Sequence, residues 1–510
     1  MNLEYLPINL HHMKRVLLRI LLGLLGIVLL LVLVITITLL IPVPAPPAPQ
    51  VSMSPILIIG GQIVDVEKDT LLQQAVLIEG GRITAIGHPD SLEVPTTAQV
   101  VDAHGRFLIP GLWDMHVHFL PHFPLQMNLP LFFANGVTNV RELGGFTYDQ
   151  KKSINQAIDA NQLLGPRIQA FTGRLVTWLD SEEQAKQIVE DFQGDPADFI
   201  KVYNAVLPDY YFPMIEEAKK KGIPVLGHKP RAVSALEATK AGHKSFEHAR
   251  LFLFDCYPGA EELRQAYKAV YTGEKPRSWL DNPTELREMI DTHDDSLFAE
   301  LASTMVEYDA WFCPTHITRK MDAYADNDDY RKDERLKYIH FLQKQNWTKD
   351  ADRMVNNDPS AEARKTYLDF YEKGLELTGK AHRLGVKVLA GTDANDTHSF
   401  PGFGLHEELE YLVKAGLSPA EALESATLLP AKYFELADSH GSISAGKVAD
   451  IILLDANPLT NISNTQRISA IIFNGNIYDR EKLDDALAYV ENLADSWTLA
   501  VHFAWCELRG

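Results

Sequence analysis

Two imidazoles stand two residues apart in Pro110-Gly-Leu-Trp-Asp-Met-His116-Val-His118, at the end of an apolar, β-like run. Side chains at i and i+2 of a strand face the same side, so both rings can reach one metal ion. Taken alone, such a pair reads more readily as two half-buried strand histidines. Four later segments shift that balance, because each is a short β-rich run closing on a residue able to bind or serve a metal. They are Asp198-Phe-Ile-Lys201-Val-Tyr203, Ile223-Pro-Val-Leu-Gly-His228, Lys244-Ser-Phe-Glu-His248 and Val386-Lys-Val-Leu-Ala-Gly-Thr-Asp393. Imidazole nitrogens and carboxylate oxygens are donors that zinc and similar divalent ions accept.

Between these runs lie stretches of helical composition, such as Pro213 to Gly222 and Val233 to Gly242, each closed by a glycine. Strands alternating with helices imply βαβ units and a parallel sheet. Polar residues recurring at the carboxyl ends of the strands point to a (β/α)8 barrel with its site on that face. The segments Leu57 to Asp65, Ala75 to Gly87, Gly446 to Asp455 and Ile468 to Tyr478 alternate and turn on glycines, as hairpin strands do. Ser418-Pro-Ala-Glu421 is a capping box that starts a helix running toward Leu436.

The ordered set resembles the amidohydrolase superfamily, in its imidazolonepropionase-like and prolidase-like branch, from about Ile56 to Tyr478. Asn135 to Gly145 is similar to the family's second-strand region, and Pro401 to Glu410 to its segment after the eighth strand. The resemblance implies an α/β fold: a TIM-like (β/α)8 barrel over residues 113–436, with a small β-sandwich formed by 51–112 and 437–480. Residues 1–50 would be a tail, membrane anchor and proline-rich spacer, and 481–510 a helical tail.

It further implies a two-metal site built by His116, His118, Lys201, His228, His248 and Asp393, holding two divalent ions, Zn2+ foremost. An ammonium has no lone pair. Lys201 can therefore ligate only once deprotonated and carboxylated by carbon dioxide, as a carbamate whose two oxygens could bridge the ions. Alternation points Lys201 inward with Phe199 and Tyr203, and Ile200 and Val202 outward. One ion would take His116, His118, the carbamate and Asp393, and the second the carbamate, His228 and His248. A bridging hydroxide would attack the substrate carbonyl while Asp393, the catalytic residue, moves its proton.

Tyr203, Arg141 and Lys229 lie next to motif positions, and His316 lies at the seventh strand, so all four are candidates for holding substrate. His243 reads as a loop residue, and His406, among Glu407, Glu408 and Glu410, as part of a solvated helix. The implied function is a membrane-anchored hydrolase of C–N bonds in dipeptides, N-acyl amino acids or cyclic amides. A lactonase or deaminase on the same scaffold, or a membrane-tethered binding protein without catalysis, stays open; Lys201 speaks against one-metal deaminases.

Length (510 residues) and 46% hydrophobic content suit a large globular enzyme acting on a small molecule. A net charge of −20 argues against nucleic acid as a partner, and homo-oligomerisation is left open. Ile20 to Ile41 is 22 residues without a charge, enough to cross a bilayer. Lys14, Arg15 and Arg19 precede it, so the positive-inside rule puts the N-terminus in the cytoplasm and the enzyme in the periplasm or extracellular space. A cleaved signal peptide is the rival reading. The three cysteines, 256, 313 and 506, give no disulfide framework. Sequons stand at Asn346, Asn395 and Asn461, and polar, aromatic-rich stretches at 257–294 and 324–358 are candidate lids.

Overall fold

The computed structural model describes residues 10–49, 51–52, 54–119, 125–145, 147–194, 197–275 and 282–507. They fall into two compact units, residues 1–45 with 495–510, and residues 46–494.

The first unit is dominated by the helix Leu10–Leu40. Its stretch Met13–Leu40 is 28 residues, about 42 Å at 1.5 Å per residue, and holds an 18-residue window of mean hydropathy 3.3 with none of that window buried. A membrane span and a signal sequence both answer to that description. Thr36 and Thr38 fit the apolar run because their hydroxyls donate back to the carbonyls of Val32 and Val34, at 2.7 and 2.8 Å. A second helix, Trp497–Glu507, packs against the first, and His502 Nε2 donates to the Ile41 carbonyl at 3.0 Å.

The second unit contains eight parallel strands that pair in chain order: β1 (Leu112–Val117), β2 (Val137–Glu142), β3 (Arg167–Val176), β4 (Phe199–Val202), β5 (Val225–Gly227), β6 (His243–Glu247), β7 (Trp311–Cys313) and β8 (Lys387–Val388). β1, β2, β4 and β7 are buried along their whole length, as strands covered on both faces must be. Beyond β8 the chain comes back to β1. Met115 N donates to Ala390 O (2.9 Å), Asp393 N to His116 O (2.7 Å) and His118 N to Ala394 O (3.1 Å). Gly391 makes that approach feasible, since a Cβ there would lie 2.5 Å from Cys313 Sγ and 2.8 Å from His116 N.

Two further sheets flank this one. A four-stranded sheet joins Arg82–Gly87, Ala75–Glu79, Ile56–Ile59 and Gln99–Asp102; a six-stranded sheet joins Asn476–Asp479, Ile468–Phe473, Ile451–Leu454, Phe107–Pro110, Gln62–Asp65 and Thr70–Leu72. They share one apolar core containing Ile58, Val76, Ile83, Leu108, Leu453 and Ile472. The segments come from both ends of the sequence because Phe107–Pro110 pairs antiparallel with Ile451–Leu454.

Three local expectations change. The helix capped by Ser418 stops at Ser425 and a second begins at Leu428. The break frees two carbonyls: Ser425 O accepts from Ala390 N and Ala426 O from Trp113 N, anchoring the chain near β8 and β1. His243 is the buried first residue of β6, with Nδ1 3.0 Å from the Tyr211 hydroxyl, and not a loop residue. His406 is buried rather than solvated, its ring lying between Thr465 Oγ1 (2.9 Å) and the Asn135 carbonyl (3.0 Å). Glu408 on the same helix is also buried, and caps the distant helix His316–Tyr324 by accepting from His316 N and Ile317 N.

Candidate metal centre

At the end of β1, His116 Nε2 lies 3.2 Å from His118 Nε2. Asp393 Oδ1 lies 3.3 Å from the first nitrogen and 3.0 Å from the second. The tautomer of His116 follows from its other nitrogen: Nδ1 is 2.8 Å from Glu247 Oε2, and a carboxylate only accepts. Nδ1 therefore carries a proton, and Nε2 is the ring nitrogen turned toward Asp393. A tetrahedral zinc with bonds near 2.05 Å has donor-to-donor edges of about 3.3 Å, so these three atoms fit one face of its coordination shell.

A second pair stands beside the first. His228 Nε2 lies 3.1 Å from His248 Nε2, while their Nδ1 atoms contact Asn204 Oδ1 (3.0 Å) and Thr315 Oγ1 (2.8 Å). Lys201 Nζ is 3.2 Å from His118 Nε2 and 4.9 Å above the Tyr203 ring. His116, His248 and Asp393 offer ligand atoms within 4.8 Å of one another. The residues present suit divalent ions.

Charge states agree with that use. Burial pulls the Lys201 ammonium down to about 8, against the attraction of Asp393, Glu247 and Glu142, so a neutral amine is accessible near neutral pH. Burial, assisted by Lys201, brings His118 down to about 4 and holds His228 well below the ordinary histidine range; burial, assisted by His228, does the same to His248. Burial raises the Asp393 carboxyl, but His116 and His118 outweigh it and keep the group well below the usual carboxylate range.

Two of these positions are backbone-strained. His248 and Asp393 have φ of 74° and 58°, a region that costs a non-glycine residue on the order of 1 kcal/mol. Hydrogen bonds hold them there: His248 N donates to Cys313 O at 2.9 Å, and Asp393 N to His116 O. The turn at His248 also breaks strand alternation, which is why Glu247 and His248, adjacent in sequence, both reach the same cluster.

Glu247 escapes a reading based on alternation. It accepts from Arg141 Nη2 (2.8 Å), Ser245 Oγ (2.7 Å) and the His116 ring, and although burial pushes its carboxyl up, Arg141 and these bonds bring it down to about 2. Asp114 is likewise buried, accepting from His116 N, Thr392 N and Thr392 Oγ1, with burial raising its carboxyl to about 7. The only sequence signal for either was its place beside a ligand histidine.

The expected substrate residues divide. Tyr203 borders the cleft, its ring 4.6 Å from that of His228. Arg141 does not: it is fully buried and donates to Met115 O, Ser245, Tyr433 and Glu247. Lys229 is committed to Asp255 at 2.9 Å and to the Val233 carbonyl. His316 is fully buried with neither ring nitrogen hydrogen-bonded, and is not among the residues lining the cleft.

The cleft itself measures about 440 Å³. His118, Tyr203, His228 and Asp393 border it, and the helix Phe341–Asn357 adds Gln343, Trp347 and Asp350. Part of the expected second lid stretch is thus a cleft wall; in the first, residues 276–281 lie outside the described residues. Asn395 is 4% exposed and its side-chain amide donates to His118 O at 2.7 Å, so in the folded chain that sequon is closed to a glycan.

The sequence profile of the amidohydrolase family matches residues 107–478, which includes every strand of the parallel sheet and all six clustered side chains. The chain belongs to the amidohydrolase family. This amidohydrolase is 24% identical over 396 residues to the imidazolonepropionase of Streptomyces griseus, covering 75% of this chain and 85% of that one. Its match to the dihydroorotase of Geotalea daltonii is 40% identical over 63 residues, 12% of this chain and 14% of that enzyme's length. Among solved structures, a Xaa-Pro dipeptidase with methionine in its active site superposes with a TM-score of 0.58 at 21% identity, over 84% of this chain and all of that one. The bottromycin amidohydrolase superposes at 0.67 with 19% identity, over 88% and 92%. At these identities the likeness establishes the α/β fold.

Proposed function

We propose that this amidohydrolase cleaves the C–N bond of a small amide, such as a dipeptide, an N-acyl amino acid or a cyclic amide, at a two-metal centre. The observation that carries the reading is the triangle of His116, His118 and Asp393 donor atoms, with edges of 3.0 to 3.3 Å and a proton fixed away from it by Glu247. The neighbours named dipeptidase and amidohydrolase support the bond type.

His116, His118, Asp393 and a carbamate on Lys201 would hold one divalent ion, zinc foremost, and the carbamate, His228 and His248 a second. Ions bound there lower the pKa of water toward neutrality and polarise a carbonyl oxygen. Asp393, ionised at the cleft floor, takes a proton from the attacking water and returns it to the departing nitrogen. Tyr203, whose phenol burial keeps protonated, can donate a hydrogen bond to the substrate. Trp347 adds an apolar wall to the cleft.

The hydrogen bonds from β1 to residues 390–394 support reading the parallel sheet as a closed (β/α)8 barrel over 113–436, and the shared core of the two smaller sheets supports a β-sandwich of 51–112 and 437–480. We read Leu10–Leu40 as a single membrane span with a cytoplasmic N-terminus, holding the enzyme outside the cytoplasm through the spacer ending near residue 50, with 481–510 as a helical tail.

The test is metal analysis and turnover together. Stripped protein reloaded with zinc should reach two ions per chain only when bicarbonate is present, and should then hydrolyse members of a dipeptide and N-acyl amino acid panel. Asp393→Ala should keep at least one ion yet lose about 100-fold or more in kcat. Full turnover in that variant ends the mechanism.

A further inference from the structure

The residues bordering the cleft over the metal-ligand cluster include three carboxylates, Asp350, Asp393 and Asp396, and among the described residues no lysine or arginine. Asp393 belongs to the cluster, so the other two set the charge of the wall. Asp350, on the helix Phe341–Asn357, accepts from Thr397 Oγ1 at 3.0 Å and pairs with Arg353 at 2.9 Å. That pair is a weak counterweight, because the Arg353 side chain is 81% exposed and does not border the cleft. Asp396 is exposed to the cleft, accepts from Thr397 N at 2.8 Å and forms no ion pair among the described residues. Enclosure and then the Asp393 charge raise its carboxyl to about 7, so a cation placed beside it favours its ionised form.

A second, independent feature points the same way. Asn395 is 4% exposed and borders the same cleft, and its side-chain nitrogen donates to His118 O at 2.7 Å. A carbonyl only accepts, so that contact fixes which end of the amide is nitrogen, and the other end, Oδ1, has no hydrogen-bond partner. A buried acceptor without a donor is costly, and a ligand in the cleft is able to bring one. Donors of the wall itself are spent within it: Gln343 Nε2 and Trp347 Nε1 reach the Asn395 carbonyl at 3.2 and 3.4 Å, and the Thr397 hydroxyl donates to Asp350. An amide oxygen and two carboxylates are thereby offered to the cleft. They match a protonated amine, which has three N–H donors and no acceptor.

We propose that this wall is a cation subsite, in which Asp350, Asp396 and Asn395 Oδ1 select amide substrates that carry a protonated amine beside the scissile bond. The assignment rests on the amide-hydrolase reading and names its substrate class. The ammonium is that of a free amino terminus or of a basic side chain. Its three recognition residues come from the segment inserted between β7 and β8 and from the loop after β8, whereas the cluster below is built on strand ends. Such loops vary selectivity over a fixed catalytic floor.

The test uses the full-length, metal-loaded protein at pH 8 and uncleavable sulfonamides, so that binding is read apart from turnover. Two matched pairs put the charge on either side of the scissile bond. One is taurine N-propylamide against propanesulfonic acid N-propylamide, and the other N-methylsulfonyl-L-lysine methylamide against its norleucine counterpart. By calorimetry, the cationic member of at least one pair should bind about 10-fold or more tighter, the worth of charge-assisted hydrogen bonds. The pair that responds tells a free amino terminus from a basic side chain. In the double variant Asp350→Asn with Asp396→Asn, charged and neutral members should come within about 3-fold of each other. The neutral member should keep its affinity and the protein its metal content, which a merely structural role for the two carboxylates would not allow. A preference under about 10-fold in both wild-type pairs, or one that survives in the double variant, overturns the subsite. Turnover of the wild-type protein on an amide panel is scored separately: its absence from every amide refutes the hydrolase reading, whereas turnover with charge-blind binding refutes the subsite alone.

Discussion

Glu247→Gln would perturb the metal centre without removing a ligand. Glu247 and Arg141 are both fully buried and 2.8 Å apart, and Glu247 also accepts the His116 Nδ1 proton at 2.8 Å. Neutralising the carboxylate strands the guanidinium, a loss of about 3–5 kcal/mol for a buried pair deprived of one partner. The effect on the metal is separate. If the glutamine amide nitrogen faces His116, Nδ1 must become an acceptor, the proton moves to Nε2, and the lone pair aimed at the ion is lost. Losing such an outer partner weakens metal binding by about 10–100-fold, or about 1.4–2.7 kcal/mol. Competition with a chromophoric chelator reads the affinity, and urea titration of the stripped protein reads the stability. A double variant, Arg141→Met with Glu247→Leu, divides the two effects: stability should recover most of the loss while metal affinity stays weak. The reasoning fails if Glu247→Gln holds metal as tightly as wild type, or if the double variant regains full affinity.

Two further outcomes follow from the same physics. Burial, with Asp114 and Glu407 nearby, raises the Glu408 carboxyl to about 8 against bonds from His316 N and Ile317 N that lower it. The folded state then holds a proton that the unfolded state releases above its own value near 4.5, so this group's contribution falls as pH rises from about 4.5 to 8, by at most about 5 kcal/mol. Urea midpoints at pH 5 and 8 should show a flatter dependence in Glu408→Gln than in wild type; equal slopes would contradict it. For the N-terminal helix, alkaline carbonate extraction should leave the intact chain in the membrane pellet. A soluble chain shortened near residue 45 would identify a signal sequence instead.

What the sequence determined by itself was chemistry written locally. A histidine pair at spacing two, a lysine amid alternating apolar residues, and single donors closing short β-rich runs are each legible within about ten residues, because a strand's period fixes which side chains share a face. The uncharged stretch within Leu10–Leu40 is equally local. Tertiary structure decided how those donors are held. His116 takes its tautomer from Glu247, 131 residues away, through the pairing of strands that bring β1 and β6 to one interior. Arg141 looked like a substrate ligand and is instead the buried counter-charge to that carboxylate. His406 and Glu408 sit among acidic neighbours that suggested solvent, yet they cap and bridge other elements. The cleft wall at Trp347 and Asp350 exists only because an inserted helix folds back beside the cluster. Periodicity specifies a face of one element; the partner across that face is set by the register and packing of all the others.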